Sequence, residues 1–339
     1  MKRHKICKII LAILAVFFCV AFYELIGICI TYKKQPAVSD ATIKETQNIM
    51  SVAGRENTER AVIIEKNSQA LLERVRLIQN AKDEIILSTF AFKSDESGKL
   101  ILGALHDAAD RGVHVRILVD GMESWIDMEG NPYFYGLSSH ENVEIKLYNK
   151  ANPLKPWKTM GRMHDKYLIA DGKIYILGGR NTYNYFLGDF PGHKNFDRDV
   201  LVVCDEPQKD NSVNQLWNYF ETIWEQEDCR YFHNSKKLAA RPSVKKAVLE
   251  MQEGYQQYFE VNKEKICDTD YADETFETEK ITLLSNPIHT QAKEPVVWYQ
   301  LGELMKNAKE RVKIHTPYII CNDMMYNTWE EIAENVSDF

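Results

Sequence analysis

The stretch from Gly161 to Asn181, GRMHDKYLIADGKIYILGGRN, sets a histidine, a lysine, an aspartate, a glycine pair and an asparagine around a hairpin. Asp171-Gly172, lying between the apolar runs KYLIA and KIYILGG, is a strong hairpin signal. His164 and Lys166, two residues apart on a strand, would project from one face. Histidine is suited to act near neutral pH as nucleophile or proton carrier. Lysine offers a point charge to a phosphate oxygen. Asn181 follows Gly178-Gly179, where missing side chains would let a substrate come close, and its amide would donate to a second oxygen. Nucleophile, cation and neutral donor together make a phosphoryl-binding constellation with electrostatic stabilisation of the transferring group. One histidine and one lysine on a hairpin would ordinarily be structural. Their spacing is what argues for chemistry.

The hairpin needs a sheet, and the flanking sequence supplies one. SQALLERVRLIQNAKDE carries apolar residues at helical spacing, and IILSTFAF reads as a buried strand. GKLILGALHDAADRG is a second helix ending at Gly112, and VHVRILVDG a strand closed by Asp-Gly. Strand, helix, strand in that order predicts a βαβ unit and an α/β layered fold. Beyond the hairpin come a strand, RDVLVVCD, and a helix, NSVNQLWNYFETIWEQ, whose Leu216, Phe220 and Trp224 share a core-facing side. Residues 233–293 are charged and read as a partly helical connector. NAKERVKIHTPYI from Asn307 then aligns without a gap with NAKDEIILSTFAF from Asn80. A second α/β repeat is therefore expected over 294–339.

The N-terminus is of another kind. After the basic MKRHK, residues 6–32 are almost wholly apolar, broken only by Lys8 and Glu24. That exceeds the roughly 20 residues needed to span a bilayer. Residues 1–34 are read as a transmembrane anchor and 35–60 as a polar linker. Four basic residues on the N-terminal side (Lys2, Arg3, Lys5 and Lys8) against Lys33 and Lys34 on the other lean towards a cytoplasmic N-terminus, with the main domain external to the cell membrane. Residues 1–34 hold six of the 42 basic and one of the 49 acidic residues, so the rest carries a net charge of about −12. A protein that gains affinity by neutralising many phosphates would be basic, which disfavours nucleic acid as a partner. The four cysteines outside the anchor show no CxxC or zinc spacing and read as buried free thiols.

The complete spacing is His164-x-Lys166, four residues, Asp171, six residues, Gly178-Gly179-x-Asn181. It resembles the HxKx4Dx6G(G/S)xN signature of the phospholipase D superfamily at every position. FDRDVLVV is similar to the Arg-Asp strand that follows this motif in bacterial cardiolipin synthases. The resemblance covers roughly 65–230 and the opening of a second copy at 294–339. It implies a phospholipase D-like α/β/α sandwich, with one full repeat at 61–232 and the start of another. In that family two motifs meet on a pseudo-twofold axis. One histidine attacks phosphorus to give a phosphohistidine, and the other protonates the leaving alcohol and then activates water or an acceptor alcohol. No metal or cofactor is needed. By position, His164 would be the nucleophile, with Lys166, Asn181 and Gly179 on the phosphate. Asp171 completes the catalytic motif at the turn, where a structural role is expected. Asp199 is the candidate for orienting the imidazole, with Asp197 its competitor.

No second H-x-K-x4-D occurs in the sequence; His289 and His315 lack the spacing, His193 has no context, and His106 and His114 read as surface residues. By the step from Asn80 to His164, a second motif is expected near position 391, and the chain is read as a shortened two-motif enzyme with weak or no activity alone. The leading expectation is a membrane-anchored, cardiolipin-synthase-like phosphatidyltransferase or phospholipase D acting on a phosphatidylglycerol-like lipid. A nuclease-type phosphodiesterase, its two-histidine site completed across a homodimer, is one alternative. A catalytically dead membrane interaction protein is the other.

Overall fold

A computed structural model of the chain describes residues 2–51, 58–316 and 318–338. In chain order the elements are α1 (Lys2–Tyr32), α2 (Asp40–Ser51), β1 (Glu59–Ile64), α3 (Asn67–Asn80), β2 (Glu84–Thr89), α4 (Glu96–Asp110), β3 (His114–Asp120), α5 (Glu123–Asp127), α6 (Pro132–Ser138), β4 (Val143–Tyr148), β5 (Tyr167–Ala170), β6 (Ile174–Gly178), β7 (Asp199–Cys204), α7 (Ser212–Trp224), β8 (Cys229–Tyr231), α8 (Lys236–Ala239), α9 (Pro242–Cys267), β9 (Phe276–Glu277), α10 (Val296–Lys306) and α11 (Asp323–Asn335). They fall into two compact units, one over 56–281 and the other joining 1–55 to 282–339.

The larger unit is built on a nine-stranded sheet in the order β8-β4-β3-β2-β5-β6-β7-β1-β9. β2, β3 and β4 are parallel, joined through α4 and through α5 and α6. The remaining pairs are antiparallel. Strands buried on both sides read as continuous apolar runs, and both faces are covered here. Ile85, Leu87, Val115, Ile117 and Val119 pack with Leu71, Val75, Leu105, Met251 and Tyr255 from α3, α4 and α9 on one face. On the other lie Tyr167 and Tyr175: Tyr167 meets the Phe220 ring of α7, and the Tyr175 hydroxyl bonds Ser212 at 2.8 Å. Leu216, Phe220 and Trp224 of α7 are buried, as the helical spacing predicted. The result is the expected α/β/α sandwich.

Two stretches differ from the sequence reading. The linker contains α2 and the first two residues of β1, which pairs with β7 inside the sheet. The connector supplies α9, which buries Val244, Ala247, Met251, Tyr255 and Ile266 against the unit. Its many charges hid this one apolar stripe, since a long helix needs only one face to pack. Cys204 and Cys229 are buried, whereas Cys267 is exposed. His106 is buried too, bonded to Asp110 at 3.0 Å, rather than lying at the surface.

In the smaller unit, α1 includes Lys5–Tyr32, 28 residues with mean hydropathy 2.7, long and apolar enough to cross a membrane. Glu294 accepts from the Ser39 amide at 2.8 Å and the Thr42 hydroxyl at 2.6 Å at the start of α2. α10 and α11 meet through Trp298 and Trp329, 5.2 Å between ring centroids. The strand expected over RVKIHTPYI does not form among the described residues; Arg311 makes one isolated bridge to Asp338. An extended segment becomes a strand only where a neighbour takes up its backbone groups.

Candidate active site

The hairpin turn is as the Asp-Gly pair predicted. Asp171 and Gly172 have φ of 52° and 61°, the paired left-handed geometry of a tight two-residue turn. The Asp171 carboxylate accepts from the amides of Lys82, Asp83 and Glu84 at 2.9, 2.8 and 2.9 Å. It ties the turn to the start of β2. It also lies at the far end of β5 from His164, seven residues and so roughly 23 Å along an extended chain at about 3.3 Å per residue. Its role is to hold the hairpin.

His164 and Lys166 sit at the other end, in the extended segment that enters β5 rather than on the strand itself. Register places this entry beside the ends of β2 and β6: Tyr167 pairs with Ser88 and Leu177, and the Gly178 amide donates to the Lys166 carbonyl at 3.1 Å. β1, β2, β3, β4 and β6 end here and β5 and β7 begin here, so every loop of the site leaves the same edge of the sheet. The ends of parallel strands are where open α/β sheets bind ligands.

Three tethers aim the segment. Asp120, the last residue of β3, accepts from Arg162 Nε at 3.0 Å and from the Met163 amide at 3.1 Å. Asn149, held at φ 47°, donates to the Lys158 and Gly161 carbonyls, both at 2.7 Å. Tyr219 of α7 donates to Asp165 at 2.8 Å. None of these was singled out from sequence. The only signal was an Asp at a strand end, which reads equally well as turn chemistry.

The His164 ring lies edge-on to Phe90, with centroids 4.7 Å apart, and has no hydrogen-bond partner among the described residues. The side chain is exposed. Partial desolvation against Phe90 and its surroundings lowers its pKa, the charge of Lys166 lowers it further, and Asp165 and Asp120 oppose the shift. The imidazole is therefore neutral at pH 7, the form with a lone pair to give. Lys166 is 6% exposed, and its ammonium donates to the His164 carbonyl at 2.6 Å beneath the Phe90 ring. No carboxylate lies within ion-pair distance of it among the described residues, and burial pushes its pKa down to about 8. Asn181, also buried, accepts from the Ala91 amide through Oδ1 at 3.1 Å, which leaves its Nδ2 without a partner among the described residues.

Two assignments are corrected. Asp199 does not orient the imidazole: its fully buried carboxylate lies 3.0 Å from Arg74 and 3.3 Å from Arg180. Arg180, between Gly179 and Asn181, further donates to the carbonyls of Ile64 and Glu65 and to Asn67 Oδ1. This buried charge cluster joins the ends of β1, β6 and β7. Gly178 and Gly179 are also small for a structural reason. A Cβ on Gly178 would stand 2.0 Å from Asp199 Oδ1, and one on Gly179 would stand 2.1 Å from Asp197 Oδ2. The room is taken by Asp197 and Asp199 at the entry to β7, so a side chain is excluded here by the neighbouring chain. His164, Lys166 and Asn181 are left as the three side chains brought together with unused capacity.

The hairpin thus presents a neutral histidine, a lysine without an ion pair and an amide group with no partner among the described residues. Comparison with known proteins places it further. Residues 75–224 match the family model described as cardiolipin synthase, phospholipase D-like domain. The matched stretch is a phospholipase D-like domain, and the matches support a member of the phospholipase D superfamily. Among curated relatives, an uncharacterised protein of Helicobacter pylori is 32% identical over 236 residues, which is 64% of this chain and 45% of that protein. Cardiolipin synthase C of Escherichia coli is 29% identical over 154 residues, 41% of this chain and 31% of that protein. The chain thus spans between about a third and just under half of the length of the curated relatives it matches. The crystal structure of phosphatidylserine synthase from Haemophilus influenzae superposes with a TM-score of 0.56 at 15% identity, covering 88% of this chain and 65% of that one, and so shares the fold.

Proposed function

We propose that this chain is a membrane-anchored phosphatidyltransferase or phosphodiesterase whose site takes the phosphodiester of a phospholipid. The observation that carries the reading is Lys166. A buried ammonium with no carboxylate at ion-pair distance among the described residues, and only the more distant charges of Asp165 and Asp197 to offset its burial, is costly to maintain, and a phosphate oxygen would supply a direct counter-anion. Asn181 Nδ2 would donate to a second oxygen, and the exposed His164 ring offers its lone pair to phosphorus.

In the proposed reaction a P–N bond forms to His164 as the P–O bond to the leaving alcohol breaks. The leaving oxygen takes its proton from a general acid, and water or an acceptor alcohol then displaces phosphorus from histidine. One motif provides the nucleophile and the phosphate cradle. The general acid would be His164 of a second copy, brought in across a twofold axis. The site residues and the domain division behind this reading, an anchor at 1–34 and a phospholipase D-like core over 61–232, belong to the same proposal.

The test incubates membranes containing the full chain with phosphatidylglycerol and, separately, with single-stranded DNA, using wild type and His164→Ala. Turnover of the lipid, lost in the variant together with an acid-labile phosphoenzyme, is the expected result. Cleavage of DNA alone would replace the lipid reading with a nuclease, and turnover of neither would leave an interaction protein.

A further inference from the structure

The loop that leads into His164 has an unusual composition. Residues 149–162, NKANPLKPWKTMGR, carry Lys150, Lys155, Lys158 and Arg162 with no acidic residue, although the chain outside 1–34 is strongly acidic. Lys158 is engaged with Asp228 at 2.6 Å and Arg162 with Asp120, but Lys150 and Lys155 are exposed and make no ion pair among the described residues. Between them the loop presents large apolar side chains to solvent, with Leu154, Trp157 and Met160 exposed by 77%, 40% and 57%. Two prolines stiffen the segment, and the Asn149 side chain pins its far end.

The exposed apolar surface continues along the same edge of the sheet. Trp125 and Ile126 on α5, which follows β3, are 64% and 63% exposed, and Phe196, just before β7, is 75% exposed. Folding leaves such side chains in water only at a cost, and a cluster of them around a site marks an interaction surface. Cations interleaved with Trp and aliphatic residues are what a surface needs to sit in the headgroup layer of an anionic bilayer. Nucleic acid would use the lysines and Trp157, but Leu154, Met160 and Ile126 offer no face for a base to stack on.

We propose that the 149–162 loop, with Trp125, Ile126 and Phe196 beside it, docks the site edge onto an anionic phospholipid bilayer, lowering Trp157 and Met160 among the headgroups so that a lipid phosphate reaches Lys166 without leaving the membrane. The proposal deepens the lipid reading of the site and rests on it.

The experiment reconstitutes the full chain in phosphatidylcholine bilayers with and without 30% phosphatidylglycerol, at roughly physiological salt, and follows hydrogen exchange of peptides covering 149–162. Alongside, turnover is measured on bilayer phosphatidylglycerol and on a short-chain phosphatidylglycerol below its micelle concentration. Protection of the loop in the anionic bilayer alone is expected. Lys150→Gln and Lys155→Gln should each weaken it about fivefold. The pair Trp157→Ser and Met160→Ser should remove it and cut bilayer turnover at least fivefold, leaving short-chain turnover within twofold. No lipid-dependent protection overturns the proposal. So does protection in detergent that grows with protein concentration to the full level seen in the anionic bilayer, which assigns the loop to a contact between copies, or protection by single-stranded DNA instead of lipid. Protection without turnover of either substrate would sustain docking and sink the catalytic reading, so the two failures are separable.

Discussion

Lys166 makes the sharpest prediction because the same side chain is argued to cost stability and to bind substrate. Burial lowers its pKa from the ordinary 10.5 to about 8. At about 1.36 kcal/mol per tenfold, holding it charged at pH 7 costs the folded state on the order of 3 kcal/mol. The sign follows from the depressed value. Between pH 8 and 10.5 the unfolded chain holds more protons than the folded one, so stability rises across this window as the folded lysine becomes neutral. Lys166→Met keeps much of the stem and removes the charge. Net of the lost bond to the His164 carbonyl, it should stabilise the chain at pH 7 by about 1–2 kcal/mol, raising Tm by roughly 2–8 °C for a domain of this size. The assay is thermal unfolding of the full chain in detergent at pH 7 and at pH 10, with and without a soluble phosphodiester. Wild type should gain stability from pH 7 to 10 and on ligand addition; the variant should do neither. A Lys166→Met chain less stable than wild type at pH 7, or a wild type indifferent to the phosphodiester, refutes the argument that Lys166 is a buried cation awaiting an anion.

Other outcomes follow from the same geometry. The pH profile of kcat/KM on a short-chain substrate should be bell-shaped, falling on the acid side below pH 6.5 as His164 gains its proton and on the alkaline side near pH 8 as Lys166 loses its own. Asp199→Asn should strand Arg74 and Arg180 in the interior and cost about 3–5 kcal/mol by thermal unfolding, without moving the acid limb that an imidazole-orienting carboxylate would control. Gly179→Ala should destabilise through its clash with Asp197, and adding Asp197→Gly should recover most of the loss in Tm. Asp171→Asn should lower stability by about 1–3 kcal/mol by weakening the grip on three amides of the β2 entry, while turnover measured well below Tm stays close to wild type.

By itself the sequence determined the hairpin, the α/β class and the apolar N-terminal helix, and it singled out His164, Lys166 and Asn181 as candidates. Each rests on a short-range rule: an Asp-Gly turn, a strand period, a helical stripe, a fixed spacing within 21 residues. What it could not determine was which polar groups would find partners. Asp199 resembled an orienting carboxylate until the fold set Arg74, over a hundred residues earlier in the chain, and Arg180 against it. Gly178 and Gly179 suggested a substrate path, and Asp199 and Asp197, at and just before the start of β7, take up the side-chain room there. The sheet pairing of β1, which begins at the end of the linker, and the packing of α9 from the partly helical connector were hidden because their partners lie far away in sequence. Tertiary structure decided these points because burial and charge pairing depend on what arrives from elsewhere in the chain. It also supplied the one fact that spacing could not give: Lys166 ends up buried with no carboxylate at ion-pair distance among the described residues, although the charges of Asp165 and Asp197 act on it from further away.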